Sequence, residues 1–211
     1  GGPRGRQGGG AAVAAGGLEG VAATLQREGR PRLYFSGQEA QEAEPETAPG
    51  AIFPVSVCKT CGQHFFNTYL RQFAVTGERR RVAEGGQLEG PTAIWLPAPD
   101  QEEGGSRVLF TDRFVAEEAD ELDEAAQSKV RQRLAGKHLD LYACRRCGTF
   151  HKDSTPTCMK PECSHDEPPV HVRVVGQVGK ITNCPACGHR GPEVAGRTLE
   201  PIRPLRAVTT A

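Results

Sequence analysis

Eight cysteines stand in four close pairs: Cys58-x2-Cys61, Cys144-x2-Cys147, Cys158-x4-Cys163 and Cys184-x2-Cys187. None is left over. A C-x2-C turn curls the backbone so that two sulfurs point at one ion, and two such turns fill the tetrahedral shell of a Zn²⁺ ion with four thiolates. Eight ligands therefore imply two zinc ions. Three pairs run directly into glycine, at Gly62, Gly148 and Gly188. Glycine takes φ > 0 without a Cβ clash, so the chain can leave the turn there. The freed backbone N–H groups can then donate to the thiolates.

Two other uses of cysteine fit less well. A redox C-x-x-C opens a helix after a strand, and none of these pairs begins a helical pattern. The common ferredoxin spacings are absent too. The sites read as structural, because a catalytic zinc keeps an open position for water and four thiolates close the shell. His64, His151, His165 and His189 lie close to the cysteines. With every pair complete, they read as surface residues or as partners of the ligands.

Two pairings satisfy the count. In a nested arrangement Cys144, Cys147, Cys158 and Cys163 share one ion, and Cys58, Cys61, Cys184 and Cys187 share the other. In the alternative, Cys58/Cys61 joins Cys144/Cys147, and Cys158/Cys163 joins Cys184/Cys187. Closure entropy favours the nested form. At about 0.6 kcal/mol per doubling of loop length it is too small to decide.

The elements that must hold these pairs are mostly short strands. Ile52 to Val57 reads as a strand entering the first pair, and Leu139 to Ala143 as one entering the second. Val170 to Val178 alternates towards the last pair. Arg32 to Phe35, Ala93 to Leu96 and Arg107 to Phe110 are further strands. Pro97, Pro99 and the Gly104-Gly105 pair suggest a loop or hairpin between the last two. Phe65, Phe66, Tyr69, Leu70 and Phe73 read as core packing around a knuckle, not as a base-stacking platform. Val115 to Leu134 carries the main helical stripe, through Ala119, Leu122, Ala126, Val130 and Leu134, with Gly136 as its stop. Leu18 to Arg27 reads as a short amphipathic helix. Residues 199–211 show no periodicity. The expected fold is a small α+β, zinc-ribbon-like unit: short antiparallel strands around two four-cysteine sites, plus one main helix at about 115–135.

Glycine and proline together make 42 of the 211 residues, against roughly an eighth in an average chain. Residues 1–50 read as low-complexity linker, largely disordered, and 51–211 as the zinc-binding module. Small cores of this kind need outside help, and a structural zinc contributes on the order of 10 kcal/mol. The formal charge is zero but uneven: residues 1–37 carry a net +3, residues 38–127 a net −10 and residues 128–211 a net +7. The basic C-terminal half permits nucleic-acid contact. Its candidate phosphate contacts are Arg145, Arg146, Lys152, Lys160 and Arg173.

No apolar run approaches the roughly 18–20 residues of a membrane span, and no secretory signal pattern is visible. The expected compartment is the cytoplasm, where cysteine pairs are more often ligands than disulfides. The chain starts at Gly1 without methionine and reads as a piece of a longer protein. Asp120-Glu121-Leu122-Asp123 matches a magnesium-binding helicase pattern, but it sits in a helical stripe and reads as an acidic helix face. Arg79-Arg80-Arg81 is too short for a nucleic-acid site. Phosphate loop, nucleophile elbow and His-Glu-x-x-His patterns are absent, so no catalytic residue is assigned.

The stretch Val55 to Phe66, with Cys58, Lys59, Thr60, Cys61, Gly62, Gln63 and His64 at its centre, resembles the zinc-binding insert of large bacterial superfamily 2 DEAD/DEAH-box helicases. Leu141 to Thr149, followed by Cys158 and Cys163, is similar to the same insert. Pro201 to Ala211 is similar to the run that enters the second motor domain. The resemblance covers roughly residues 51–211. It implies an accessory zinc segment between two motor domains of one longer chain, contacting those motors or DNA. ATP binding and hydrolysis would lie outside this segment. The competing reading is a free-standing zinc-ribbon interaction module with no link to ATP.

Overall fold

The computed structural model describes residues 21–25, 33–35, 39, 50–71, 73–75, 86–88, 90–93, 95–96, 106–112, 138–163, 165–176 and 181–206. Its named elements are all strands: β1 (Ala22–Thr24), β2 (Leu33–Tyr34), β3 (Ile52–Cys58), β4 (His64–Leu70), β5 (Phe73–Val75), β6 (Gly86–Leu88), β7 (Thr92–Ala93), β8 (Trp95–Leu96), β9 (Ser106–Thr111), β10 (Leu139–Ala143), β11 (Phe150–His151), β12 (Val170–Gly176), β13 (Glu193–Val194), β14 (Arg197–Thr198) and β15 (Ile202–Pro204). The main helix expected at 115–135 lies outside the described residues.

Eleven strands form one antiparallel sheet ordered β2-β1-β3-β4-β9-β12-β10-β11-β7, with β15 on β3 and β8 on β4. The ladder returns on itself. β7 pairs with β11 through Ala93↔Phe150, and after a single intervening residue β8 pairs with β4 through Leu70↔Trp95. The circuit β4-β9-β12-β10-β11-β7/β8 closes a small barrel, with short pairings at β11, β7 and β8 completing it. β3 extends the wall beside β4. Its entry is fixed by the Ala51 N–H, which donates to the Arg145 carbonyl at 2.7 Å.

Strand alternation sorts the apolar residues onto two faces. The inner face collects Phe53 and Val55 of β3, Phe66 and Leu70 of β4, Val108 and Phe110 of β9, Leu141 and Ala143 of β10, Phe150 of β11, and Val172 and Val174 of β12. Phe110 is the hub, with ring centroids 5.0 Å from Phe53, 5.1 Å from Phe66 and 5.2 Å from Phe150. The outer face of β4, β9 and β12 gives Phe65, Leu109 and Val175 to a second core, with Cys58, Ile181, Cys184, Ala186 and Ile202. Phe65 and Phe66 are both buried, so these two rings pack in cores, as expected.

Several expectations change. Leu18 to Arg27 was read as a helix, yet Ala22–Thr24 is a strand on β3. Val21 to Leu25 are all buried, whereas a surface helix buries one stripe only; pairing to β3 overrides the local pattern. β1 and β2 also place part of residues 1–50 in the sheet. Of the loop or hairpin expected between 93–96 and 107–110, the hairpin does not form, because β4 lies between β8 and β9. Residues 202–204, in the tail without periodicity, form β15, with Ile202 opposite Cys58. Finally, the antiparallel strands belong to one barrel-like sheet, with Cys58/Cys61 at the β3–β4 turn, Cys144/Cys147 at the β10–β11 turn and the other two pairs in segments outside its strands.

Candidate metal centres

Three of the cysteine turns share one backbone solution. In the first, the Gly62 N–H donates to the Cys58 carbonyl at 2.9 Å and the Cys58 N–H to the Gln63 carbonyl at 2.9 Å. The Cys144 turn repeats this with Gly148 and Thr149, and the Cys184 turn with Gly188 and His189, all at 2.8–2.9 Å. The glycines sit at φ 73°, 75° and 74°. Such values strain any residue with a Cβ, which is why glycine follows the second cysteine. The Cys158–Cys163 loop is built differently, on a Cys163 N–H bond to the Lys160 carbonyl at 2.9 Å.

These turns bring the eight thiols into two groups. Cys58, Cys61, Cys184 and Cys187 form site 1, Cys144, Cys147, Cys158 and Cys163 form site 2, and within each site all sulfurs lie within 4.8 Å of one another. This is the nested arrangement. Between turns, Cys61 and Cys184 sulfurs are 4.0 Å apart, Cys144 and Cys163 3.8 Å, and Cys147 and Cys158 3.6 Å. A tetrahedral ion with metal–sulfur bonds of about 2.3 Å needs sulfur–sulfur edges of about 3.8 Å. A disulfide would need about 2.05 Å, and all eight cysteines are free. Each site could therefore hold a metal ion.

The electrostatics agree. At site 1 the hydrogen bond with Cys184, assisted by the Gln63 amide, holds the Cys61 thiol down at about 5. The same bond and burial push Cys184 up, and burial pushes Cys187 up to about 11. At site 2 the bond with Cys144, with help from Thr149, holds Cys147 down at about 4. Cys144 is pushed up by that bond and by burial, and Cys158 by burial to about 12. In each site one thiolate opposes the ionisation of its neighbours. A divalent cation removes that opposition, because it neutralises the charge the thiolates build up.

The chain matches no family model, no curated protein and no solved structure. The reading of the sites therefore rests on their own geometry.

The two sites tie different parts of the chain. Site 1 lies in the second core and fastens residues 181–206 to the barrel, where β15 also pairs with β3. Arg107 reinforces this, 3.7 Å from Glu200, whose carboxylate also accepts the Ile181 N–H at 3.1 Å. Site 2 fastens the 152–163 loop to the β10–β11 hairpin. There the Arg145 guanidinium pairs with Glu167.

The histidines are not part of either four-sulfur group. His64 lies 3.3 Å from Asp112. His189 is exposed, and its backbone N–H donates to the Cys187 sulfur at 3.4 Å. Burial lowers His165, with Arg145 contributing. His151 is fully buried and lowered by burial, with its Nε2 3.5 Å from the Cys158 sulfur. Its place was not legible in the sequence beyond its closeness to cysteines.

Of the five candidate phosphate contacts, Arg146 and Lys152 are exposed. Arg145 is committed to Glu167. Lys160 is half-buried in the site 2 loop, and half-buried Arg173 stands opposite Asp140 in the β10–β12 ladder. Residues 144–170 hold four basic and four acidic residues, so site 2 carries no local excess of positive charge. Among the described residues, no helix is long and apolar enough to cross a membrane.

Proposed function

We propose that this chain is a structural zinc module in which two zinc ions, each closed by four thiolates, hold peripheral segments onto a β-barrel. The observation that carries this reading is the convergence of all eight sulfurs into two groups, each within 4.8 Å, with Cys61–Cys184, Cys144–Cys163 and Cys147–Cys158 separated by close to a tetrahedral edge. Zinc is favoured over other divalent ions because four thiolates in tetrahedral array suit its size and softness. A closed thiolate shell leaves no position for a reactive water, so the ions act as scaffold. The test is metal analysis of the purified chain with thiol counting. Two zinc ions per chain support the reading; no metal with paired thiols refutes it.

The finer role we propose is that of an accessory segment in a longer helicase chain, set against its motor domains or nucleic acid. Its support is the resemblance of Val55–Phe66 and Leu141–Thr149 to helicase inserts, together with exposed Arg146 and Lys152. The test is the flanking coding sequence: motor domains on both sides support it, and a stop codon soon after Ala211 refutes it. A nucleic-acid contact would also weaken steeply with salt, because phosphate contacts release counterions. The free-standing interaction module is the second reading, favoured by a barrel that closes on itself within these residues.

A further inference from the structure

His151 is a fully buried imidazole beside site 2, and the scaffold role alone does not require it. It sits on β11, opposite Tyr142 on one side and Thr92 on the other, so the barrel fixes its backbone. Phe150 before it points into the core, and alternation turns His151 to the other face, towards the site 2 loop. There its Nε2 lies 3.5 Å from the Cys158 sulfur, while its Nδ1 has no hydrogen-bond partner among the described residues. A neutral imidazole carries one N–H. With an ion bound, the Cys158 sulfur is a thiolate and can only accept, which puts the imidazole proton on Nε2.

We infer that His151 is a positioning residue of site 2, whose Nε2–H caps the Cys158 thiolate, draws charge from that sulfur and moors the loop to the barrel. This rests on the zinc reading above. Hydrogen bonds to coordinated ligands commonly tune a metal centre in this way. Two sulfurs of site 2 thus have side-chain partners, since Cys147 shares a hydrogen bond with the Thr149 hydroxyl at 3.2 Å. Backbone N–H groups reach sulfurs of both sites, from His189 and Gln63 at site 1 and from Thr149 and Lys160 at site 2, so it is the side-chain partners that set site 2 apart. The two ions are therefore held in unlike electronic surroundings. Cys158 is the sulfur whose reactivity towards electrophiles His151 restrains.

The test uses the full chain loaded with Co²⁺, whose sulfur-to-metal charge-transfer band reports the charge on the thiolates. In H151F the site 2 share of that band moves to longer wavelength. In H151Q, which restores an N–H donor of similar reach, it returns towards the wild-type position. In the zinc-loaded chain, alkylation of Cys158 by iodoacetamide, read by peptide mass spectrometry, rises on the order of tenfold in H151F. Site 1 cysteines keep their rates and serve as the folding control. Should H151F not fold, the wild type decides: nitrogen NMR of the ¹¹³Cd-loaded chain shows a protonated Nε2 coupled to the metal through the sulfur. A proton on Nδ1, or an unmoved band and unchanged Cys158 rate in folded H151F, overturns the inference while leaving the zinc reading intact. A wild-type chain that binds no cobalt, zinc or cadmium overturns both.

Discussion

Site 1 is the ligand set that joins the most distant parts of the chain, and Cys187→Ser tests what it holds. The change removes one of four thiolates from a site that links the tip of the β3–β4 hairpin to residues 181–206. A structural zinc is worth about 10–16 kcal/mol. The apolar anchors of the same segment are chiefly Ile181 and Ile202, 2% and 5% exposed. At about 1.5–3 kcal/mol for each buried side chain, they supply about 3–6 kcal/mol. The metal is the larger contribution, so the segment should leave the barrel when its ligand set is broken. The barrel circuit uses none of residues 181–206 and should persist. Hydrogen exchange read by mass spectrometry would show this. Protection should collapse at Gly191, Leu199 and Leu205, whose amides are bonded in the wild type, and stay intact in β10 and β12. Zinc content should fall from two to one. Unchanged protection in 181–206, or loss of the whole barrel together with it, would refute the division of labour drawn here.

Metal binding should release protons. At pH 7 the raised thiols Cys144, Cys158, Cys184 and Cys187 are protonated, while Cys61 and Cys147 are ionised. Two raised thiols per site mean at least two protons released per ion, and affinity that tightens as pH rises; calorimetry in buffers of different ionisation enthalpy measures it, and fewer than two contradicts it. Phe110→Ala removes the hub of the inner aromatic cluster and should cost about 3–5 kcal/mol, read by denaturant unfolding of the zinc-loaded chain. A cost below about 1 kcal/mol would mean that the inner face is not close-packed. Gly191→Ala places a Cβ 1.8 Å from the Leu199 carbonyl oxygen. It should lower the melting temperature and free the β13–β14 hairpin, and an unshifted transition would show that this close approach is wrong.

How much of this was legible beforehand differs by feature. The glycine after each C-x2-C pair foretold the positive-φ exits at Gly62, Gly148 and Gly188, because the constraint is local. Strands entering the cysteines, such as β3 and β10, were legible from their apolar residues for the same reason. Long-range pairing was not. Nothing in the run Ala22–Thr24 announces that it pairs with Ile52, Phe53 and Pro54 of β3, and its small residues also suit a helix. Nor does the tail announce β15, whose single buried side chain, Ile202, gives no period to detect. The barrel depends on β7 and β8 serving opposite neighbours across one residue, which leaves no mark on composition. The site pairing stayed open in the sequence because closure entropy separates the two arrangements so weakly. In the fold, the shared second core around Cys58 and Cys184 decides it.

The central claim is that the eight cysteines hold two zinc ions. Metal analysis by mass spectrometry of the chain purified without added metal or chelator, with thiols counted before and after a chelating dye, tests it most directly. The account predicts two zinc ions per chain, and eight free thiols once the metal is withdrawn. A chain carrying no metal, or one whose thiols are joined as disulfides, would contradict it.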